Sequence, residues 1–430
     1  MRYEPIGKEV FIRHRKSFCA YLKPRSLAIL HSNDIMPTSA DGVMPFVQDS
    51  DIFYLTGIDQ EETILTIAPD VVKEQHREIL FIKRTSEHIR IWEGEKLSKE
   101  EAREISGIET VYWTDEFEHV LHQLAFQSAH IYLNSNEHSR ASVPVQTRQM
   151  RFIKACQEKF PLHRYERIAP IMHELRAIKL PREVELMQQA CRITEKGFRR
   201  VLSFIKPGVK EYEISAELIH EFVRNRSRGF AYTPILATGK NACSLHYITL
   251  DSTCQDGELV LMDFGAEYAG YHSDMTRTVP VNGRFTARQR QIYDTVLTLM
   301  RESAQLLNPS HSLNTYHKAV GELATEHLLR IGLLTKEEVA QQNPDYPAYK
   351  KYFMHGTSHY IGLNTHDYGS FDRLIEPGMV FTCEPGIYLP EEGLGVRLEN
   401  NLLITEDGYT DLMADIPIEA EEIEDLMNPS

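Results

Sequence analysis

Two acids, one in each arm of an otherwise apolar hairpin, constrain this chain more than any other feature. Residues 258–281, ELVLMDFGAEYAGYHSDMTRTVPV, read as strand, loop and strand, with Gly265 and Gly270 in the connection. Asp263 and Asp274 lie equally far from a midpoint at Tyr268/Ala269. A symmetric turn would therefore make them cross-strand partners, with Cβ atoms roughly 4.5–5.5 Å apart. Like charges that close, in apolar surroundings, are costly unless a cation lies between them. The plainer alternative is a loop acid and an unrelated surface acid.

A second segment of the same design weighs toward the cation. Residues 379–404, MVFTCEPGIYLPEEGLGVRLENNLLI, place Glu384 and Glu399 at equal distances from Glu391/Glu392. Upstream, HGTSHYIGLNTHD supplies His355, His359 and His366. Four acids in two facing pairs, with histidines between them, form a dinuclear metal constellation. A carboxylate-rich shell without thiolate favours hard ions such as Mn²⁺ over structural Zn²⁺. Cys383, beside Glu384, points to the opposite face of a strand and is read as packing.

Composition narrows the class. With 42% hydrophobic and 25% charged residues the chain is an ordinary globular protein. No apolar run nears the roughly 20 residues of a membrane span, and MRYEPIGKEVFIRHRKSF lacks the apolar centre of a secretory signal. A net charge of −15 argues against nucleic acid. The six cysteines form no CxxC and no disulfide framework, so reduced thiols in a cytoplasmic protein are expected.

Strand-like runs at 26–30, 63–67, 78–82 and 130–133 alternate with helical candidates at 8–22, 98–105, 115–127 and 144–159. That alternation predicts an α/β domain over residues 1–174. Trp92, in IRIWEG, is assigned a core or interface role. Residues 175–430 read differently: helices at 182–205 and 211–226, a strand-rich stretch AYTPILATGKNACSLHYITL, then the first acidic hairpin. The order repeats with a helix capped at Thr286, another capped at Ser312, a His-rich strand and the second hairpin. This predicts a duplicated α+β domain whose pseudo-two-fold axis converges four carboxylates on one cleft. The tail EAEEIEDLMNPS is read as a solvated end.

In that order, DFGAEYAGYHSDMTRT, HGTSHYIGLNTHD, EPGIY and VRLEN resemble the pita-bread metallopeptidases, the group of aminopeptidase P, prolidase and methionyl aminopeptidase, with the non-metal enzyme creatinase. PFVQDSDIFYLTGI and the WEG stretch are similar to the aminopeptidase P branch. The resemblance implies a pita-bread catalytic domain whose ligands are Asp263, Asp274, His359, Glu384 and Glu399. Asp274 and Glu399 would bridge two divalent ions per subunit: Mn²⁺ first, with Co²⁺, Fe²⁺ or Zn²⁺ able to fill the same ligands. A hydroxide activated by the ion pair would attack the scissile carbonyl, with Glu384 passing a proton to the leaving nitrogen.

Further roles follow from the resemblance. His246 would sit beside the substrate, although on the residues alone a satisfied core or loop histidine is the commoner case. His366 would stabilise the oxyanion and His355 would line the proline-side pocket. On a continuous strand His355 would share the face of His359. Arg397, two residues before Glu399, would orient a bridging carboxylate or meet the substrate, unless it only makes a structural salt bridge. Tyr388 would hydrogen-bond near the site or simply pack. Trp92 would approach a neighbouring subunit's site.

The activity so implied is removal of an N-terminal residue that precedes proline in a peptide, by a homodimer or homotetramer. Prolidase, restricted to Xaa-Pro dipeptides, is the alternative, with Arg397 then suspected of capturing the dipeptide carboxylate. A non-catalytic peptide-binding module on the same fold is a further one.

Overall fold

The computed structural model describes residues 3–428. The chain divides into two compact units: Pro5–Leu175, and a second made of the residues from Arg176 on together with Tyr3 and Glu4. No described helix is long and apolar enough to cross a membrane.

The first unit is built on a six-stranded sheet in the order Thr110–Trp113, Glu78–Ile82, Ile64–Ile67, Ser26–His31, His130–Leu133, Arg164–Arg167. Ile64–Ile67 runs antiparallel to both of its neighbours and the other pairings are parallel. Every residue of the central SLAILH is buried, as a strand covered on both faces requires. Leu27, Ile29, Phe81, Leu121 and Ile131 share one core with Phe117. Neither edge strand was among the expected ones: TVYW has strand-favouring residues throughout, whereas RYER has no apolar residue beyond its tyrosine, and none of its four residues is buried. Trp92 lies on the short helix Glu87–Trp92 and is 76% exposed, which rules out the core role.

His31 closes the central strand of this sheet. It is buried between Phe117 and Phe152, and neither ring nitrogen has a hydrogen-bond partner among the described residues. Burial, helped by the nearby Arg148, drives its imidazole from 6.5 down to about 3. Arg148 is itself tied to Asp34 through its backbone N–H, 2.6 Å away. Below pH ~6.5 the unfolded chain takes a proton that the folded unit refuses until pH ~3. Stability of this unit is therefore expected to be full above pH ~6.5 and to fall, by about a few kcal/mol in all, as the pH drops toward 3. The two tryptophans, Trp92 and Trp113, both lie in this unit, so their fluorescence reports its unfolding. His31→Leu should flatten the acid limb of that titration, and an unchanged slope would refute the assignment.

The second unit repeats one order of elements. Helix Pro181–Leu202 starts with proline at its first turn and packs on Glu211–Arg224, whose Ile214, Leu218 and Phe222 are fully buried. Gly197 permits the close approach, since a Cβ there would lie 2.7 Å from the Phe222 ring. The sheet Met275–Pro280, Leu259–Phe264, Ile235–Thr238 follows. Helices Ala287–Leu306 and Leu313–Arg330, capped by Thr286 and Ser312, then lead to the sheet Val380–Cys383, Asn400–Thr405, Gly408–Asp411. This is the pita-bread duplication that the sequence implied.

Three local expectations are corrected. Within 231–250 only Ile235–Thr238 is a strand; Gly239–Cys243 is a 3-10 turn and the rest is irregular. Residues 355–367 form no strand, only an isolated bridge from Tyr360 to Phe381. The acidic tail is not simply solvated: Ala420–Met427 is a helix that buries Ile423, and Glu421 and Glu424 pair with Arg290 and Arg284.

Candidate metal centre and active site

The two acidic hairpins turn differently. In the first, Asp263 pairs with Thr276 and Phe264 with Met275. The turn centres on Ala269 and Gly270, both with positive φ, one residue past the expected midpoint. Asp274 is thus the diagonal neighbour of Asp263 on the same face, not its direct partner. In the second, Cys383 pairs with Asn400 and Gly386 with Arg397. That register places Glu384 opposite Glu399, as their spacing required, although Pro385 interrupts the pairing at that point. The hairpins join where Glu399 N–H donates to Thr276 O at 3.1 Å and Thr276 Oγ1 donates to Glu399 Oε2 at 2.7 Å.

Ligand atoms of Asp274, His359 and Glu399, all buried, lie within 4.8 Å of one another. His359 Nδ1–H donates to Tyr360 O at 3.0 Å, which turns its Nε2 inward, 3.5 Å from Asp274 and 3.6 Å from Glu384. Arg397 Nη2 reaches Asp263 Oδ2 at 2.5 Å. The same guanidinium donates from Nη1 to Tyr388 Oη at 2.7 Å and from Nε to Thr276 Oγ1 at 3.2 Å. All three of its nitrogens are therefore engaged within the protein. Tyr388 in turn lies 2.8 Å from His355 Nε2, and His355 Nδ1 lies 2.7 Å from Gly356 O. Having accepted from Arg397, Tyr388 donates to His355, which leaves the His355 proton on Nδ1. Burial and Arg397 hold that imidazole down to about 3, so it is neutral.

Glu384 is half-shielded, 3.8 Å from His355 Nδ1. His366 is exposed, with its ring centroid 4.4 Å from that of His359 and nearly perpendicular to it. His246 is also exposed, on the loop after Gly239–Cys243, and a charge there bears on His355. Tyr232 escaped the sequence reading, yet its hydroxyl donates to Asp263 Oδ1 at 2.6 Å and contacts Asp274 Oδ1 as well. No motif marks Tyr232; only its position on the chain entering Ile235–Thr238, next to the strand of Asp263, would have pointed to it.

These residues fit a cation and fit poorly without one. Glu399 Oε1 is buried and has no hydrogen-bond partner among the described residues. The single proton of Tyr232 cannot satisfy two carboxylates. Burial and the Asp274 charge push the Glu384 carboxyl up to about 7 against the pull of His359. Burial and the neighbouring acids raise Glu399 well above the usual carboxylate range, and burial raises Asp263 despite Arg397. Oxygen donors of this kind with one imidazole suit a divalent ion.

Comparison with known proteins agrees. Residues 185–406 match Metallopeptidase family M24, and residues 11–132 match the Aminopeptidase P, N-terminal domain. The chain is 34% identical to the Xaa-Pro aminopeptidase of Escherichia coli (strain K12), over 98% of both chains. It is 32% identical to the human Xaa-Pro aminopeptidase 3, over 93% of this chain and 80% of that one. Among solved structures, aminopeptidase P from E. coli with the inhibitor Pro-Leu superposes with a TM-score of 0.87 at 32% identity, and Pseudomonas aeruginosa aminopeptidase PepP with 0.89 at 30%, each over 99% of both chains. The chain belongs to metallopeptidase family M24 and is a metal-binding exopeptidase with an aminopeptidase P N-terminal domain and a pita-bread catalytic domain.

Proposed function

We propose that the chain removes the N-terminal residue from peptides whose second residue is proline, using two divalent ions, Mn²⁺ foremost. The observation that carries this reading is the buried convergence of Asp274, His359 and Glu399 with Glu384 and Asp263 beside them, in a chain matched end to end by Xaa-Pro aminopeptidases. Asp263, Asp274, His359, Glu384 and Glu399 are the ligands. Bound divalent ions supply Lewis acidity and a nucleophile competent at neutral pH.

The chain's own groups do the rest. Glu384 takes the nucleophile's proton and delivers it to the leaving nitrogen, which must be protonated because a proline nitrogen leaves from a tertiary amide. His366, exposed next to His359, donates to the developing oxyanion. The Arg397–Tyr388–His355 chain of hydrogen bonds fixes the wall that receives proline, and His246 approaches from the facing loop. The engagement of Arg397 on all three nitrogens supports a peptidase over a dipeptidase that would need it for a substrate carboxylate. Six free cysteines accord with a cytoplasmic setting. A homodimer or homotetramer completes the proposal, with the exposed Trp92 its candidate contact near a neighbouring site.

Product analysis after Mn²⁺ loading tests the reading with Ala-Pro-Ala, Ala-Pro and Met-Ala-Ser side by side. Free alanine from the tripeptide is expected, with Met-Ala-Ser left intact. Cleavage of Ala-Pro alone would overturn the peptide specificity, and cleavage of none would overturn the activity.

A further inference from the structure

His366 sits in an awkward place for a group that must meet a transition state. From Ile361 to Ser370 the chain forms neither helix nor strand, and the His366 side chain is exposed. The next residue is the reverse. Asp367 is buried, with Arg176 Nη2 at 2.5 Å from one carboxylate oxygen and Lys179 Nζ at 3.2 Å from the other. Both cations are as deeply buried as the acid.

We propose that Asp367, clamped by Arg176 and Lys179, is a positioning residue that holds His366 against the ligand His359. The inference rests on the role given above to His366.

The clamp is anchored to the frame that carries the acids. Lys179 Nζ also donates to Arg176 O at 2.7 Å, and Lys179 N–H donates to Gly378 O at 2.8 Å. Gly378 lies just before Val380–Cys383, the strand that runs into Glu384. The Arg176 guanidinium lies 4.5 Å over the Tyr368 ring, and Asp367 N–H donates to Tyr360 O at 2.9 Å. The two residues that follow His366 are thus both fixed, one bonded to the frame and the other with its ring held under a cation. The packing has no slack: a Cβ on Gly362 would lie 2.2 Å from Asp367 Oδ2 and 3.0 Å from Lys179 Cε.

Stability alone does not explain such a cluster. Buried ion pairs gain little over apolar side chains of the same volume, because desolvation offsets their attraction. They do impose one geometry. A loop of no regular structure that must place one imidazole has use for that.

The test is a double-mutant cycle on the metal-loaded, full-length enzyme, with kcat and KM measured on Ala-Pro-Ala and metal content checked in each variant. Asp367→Asn is expected to lower kcat by about 10²-fold, the scale of a misplacement near 1 Å, with KM and metal content little changed. In a His366→Ala background the same change should cost less than about 3-fold, because residues acting through one another are not additive. Should Asp367→Asn fail to fold, Lys179→Gln keeps the Arg176–Asp367 pair and should show a smaller kcat loss with the same non-additivity. Losses that multiply undiminished onto His366→Ala would overturn the clamp while leaving the role of His366 standing. A normal kcat in His366→Ala would overturn both.

Discussion

Glu384→Gln is expected to lower kcat by about 10³-fold or more, within the range of a lost general acid–base group compounded by a weakened ligand, while the protein stays folded. Glutamine matches the shape of glutamate, and the backbone bond that holds this position, Glu384 N–H to Thr357 O at 2.9 Å, is untouched. What changes is charge and proton capacity. Glu384 is the acid whose carboxyl is pushed up to about 7 by burial and Asp274, so it stands where a proton can be both taken and returned near neutrality. Removing one of four crowded carboxylates also relieves repulsion, so the thermal midpoint of the metal-free variant should equal or exceed that of the parent. Steady-state kinetics on Ala-Pro-Ala with a melting curve checks both halves. A near-normal kcat would sink the proton-transfer role, and a collapsed fold would show that the carboxylate serves the structure instead.

The parts of the site legible in the sequence were those governed by short-range rules. Alternation along Val380–Cys383 and Leu394–Arg397 placed Cys383 away from Glu384 and Arg397 on the side of Glu399. The symmetric turn centred at Glu391/Glu392 then gave the correct register for the second hairpin. The first hairpin was displaced by one residue because Ala269 takes a left-handed conformation alongside Gly270. Ala269 is not a residue that announces positive φ, so symmetry about Tyr268/Ala269 was the natural choice and the wrong one.

Long-range partners were not legible. Nothing local ties Tyr232 to Asp263 and Asp274, 31 and 42 residues away, or Arg176 to Asp367, 191 residues away. The His-rich segment misled for a related reason. HGTSHYIG has strand-like spacing, but His355 is held by Tyr388 and Phe353 and His359 by the carbonyl of Tyr360, so tertiary bonds override the local pattern. In the first unit, polar edge strands such as Arg164–Arg167 exist only because a neighbouring strand offers its free edge.

Removal of metal should have the second large effect, and its form follows from the electrostatics of the pocket. Asp263, Asp274, Glu384 and Glu399 are drawn together by the two hairpins, and Arg397, His359, His355 and the Tyr232 hydroxyl are among the cationic or proton-bearing groups that face them. Chelation is expected to abolish peptidase activity, and added Mn²⁺ to restore it. An ion at a hundred times its Kd stabilises the folded form by about 2.7 kcal/mol, which for a unit of this size is a rise of about 5–10 °C in thermal midpoint. Glu399→Gln separates this from nonspecific stabilisation. In chelator the variant should melt at or above the parent, because Glu399 is the acid whose carboxyl burial and neighbouring acids hold well above its usual range. In Mn²⁺ it should lose most of the midpoint rise, because a ligand is gone. Activity that survives chelation with no bound ion detected, or a midpoint indifferent to Mn²⁺, would mean that the buried acids are reconciled by protons and not by a metal.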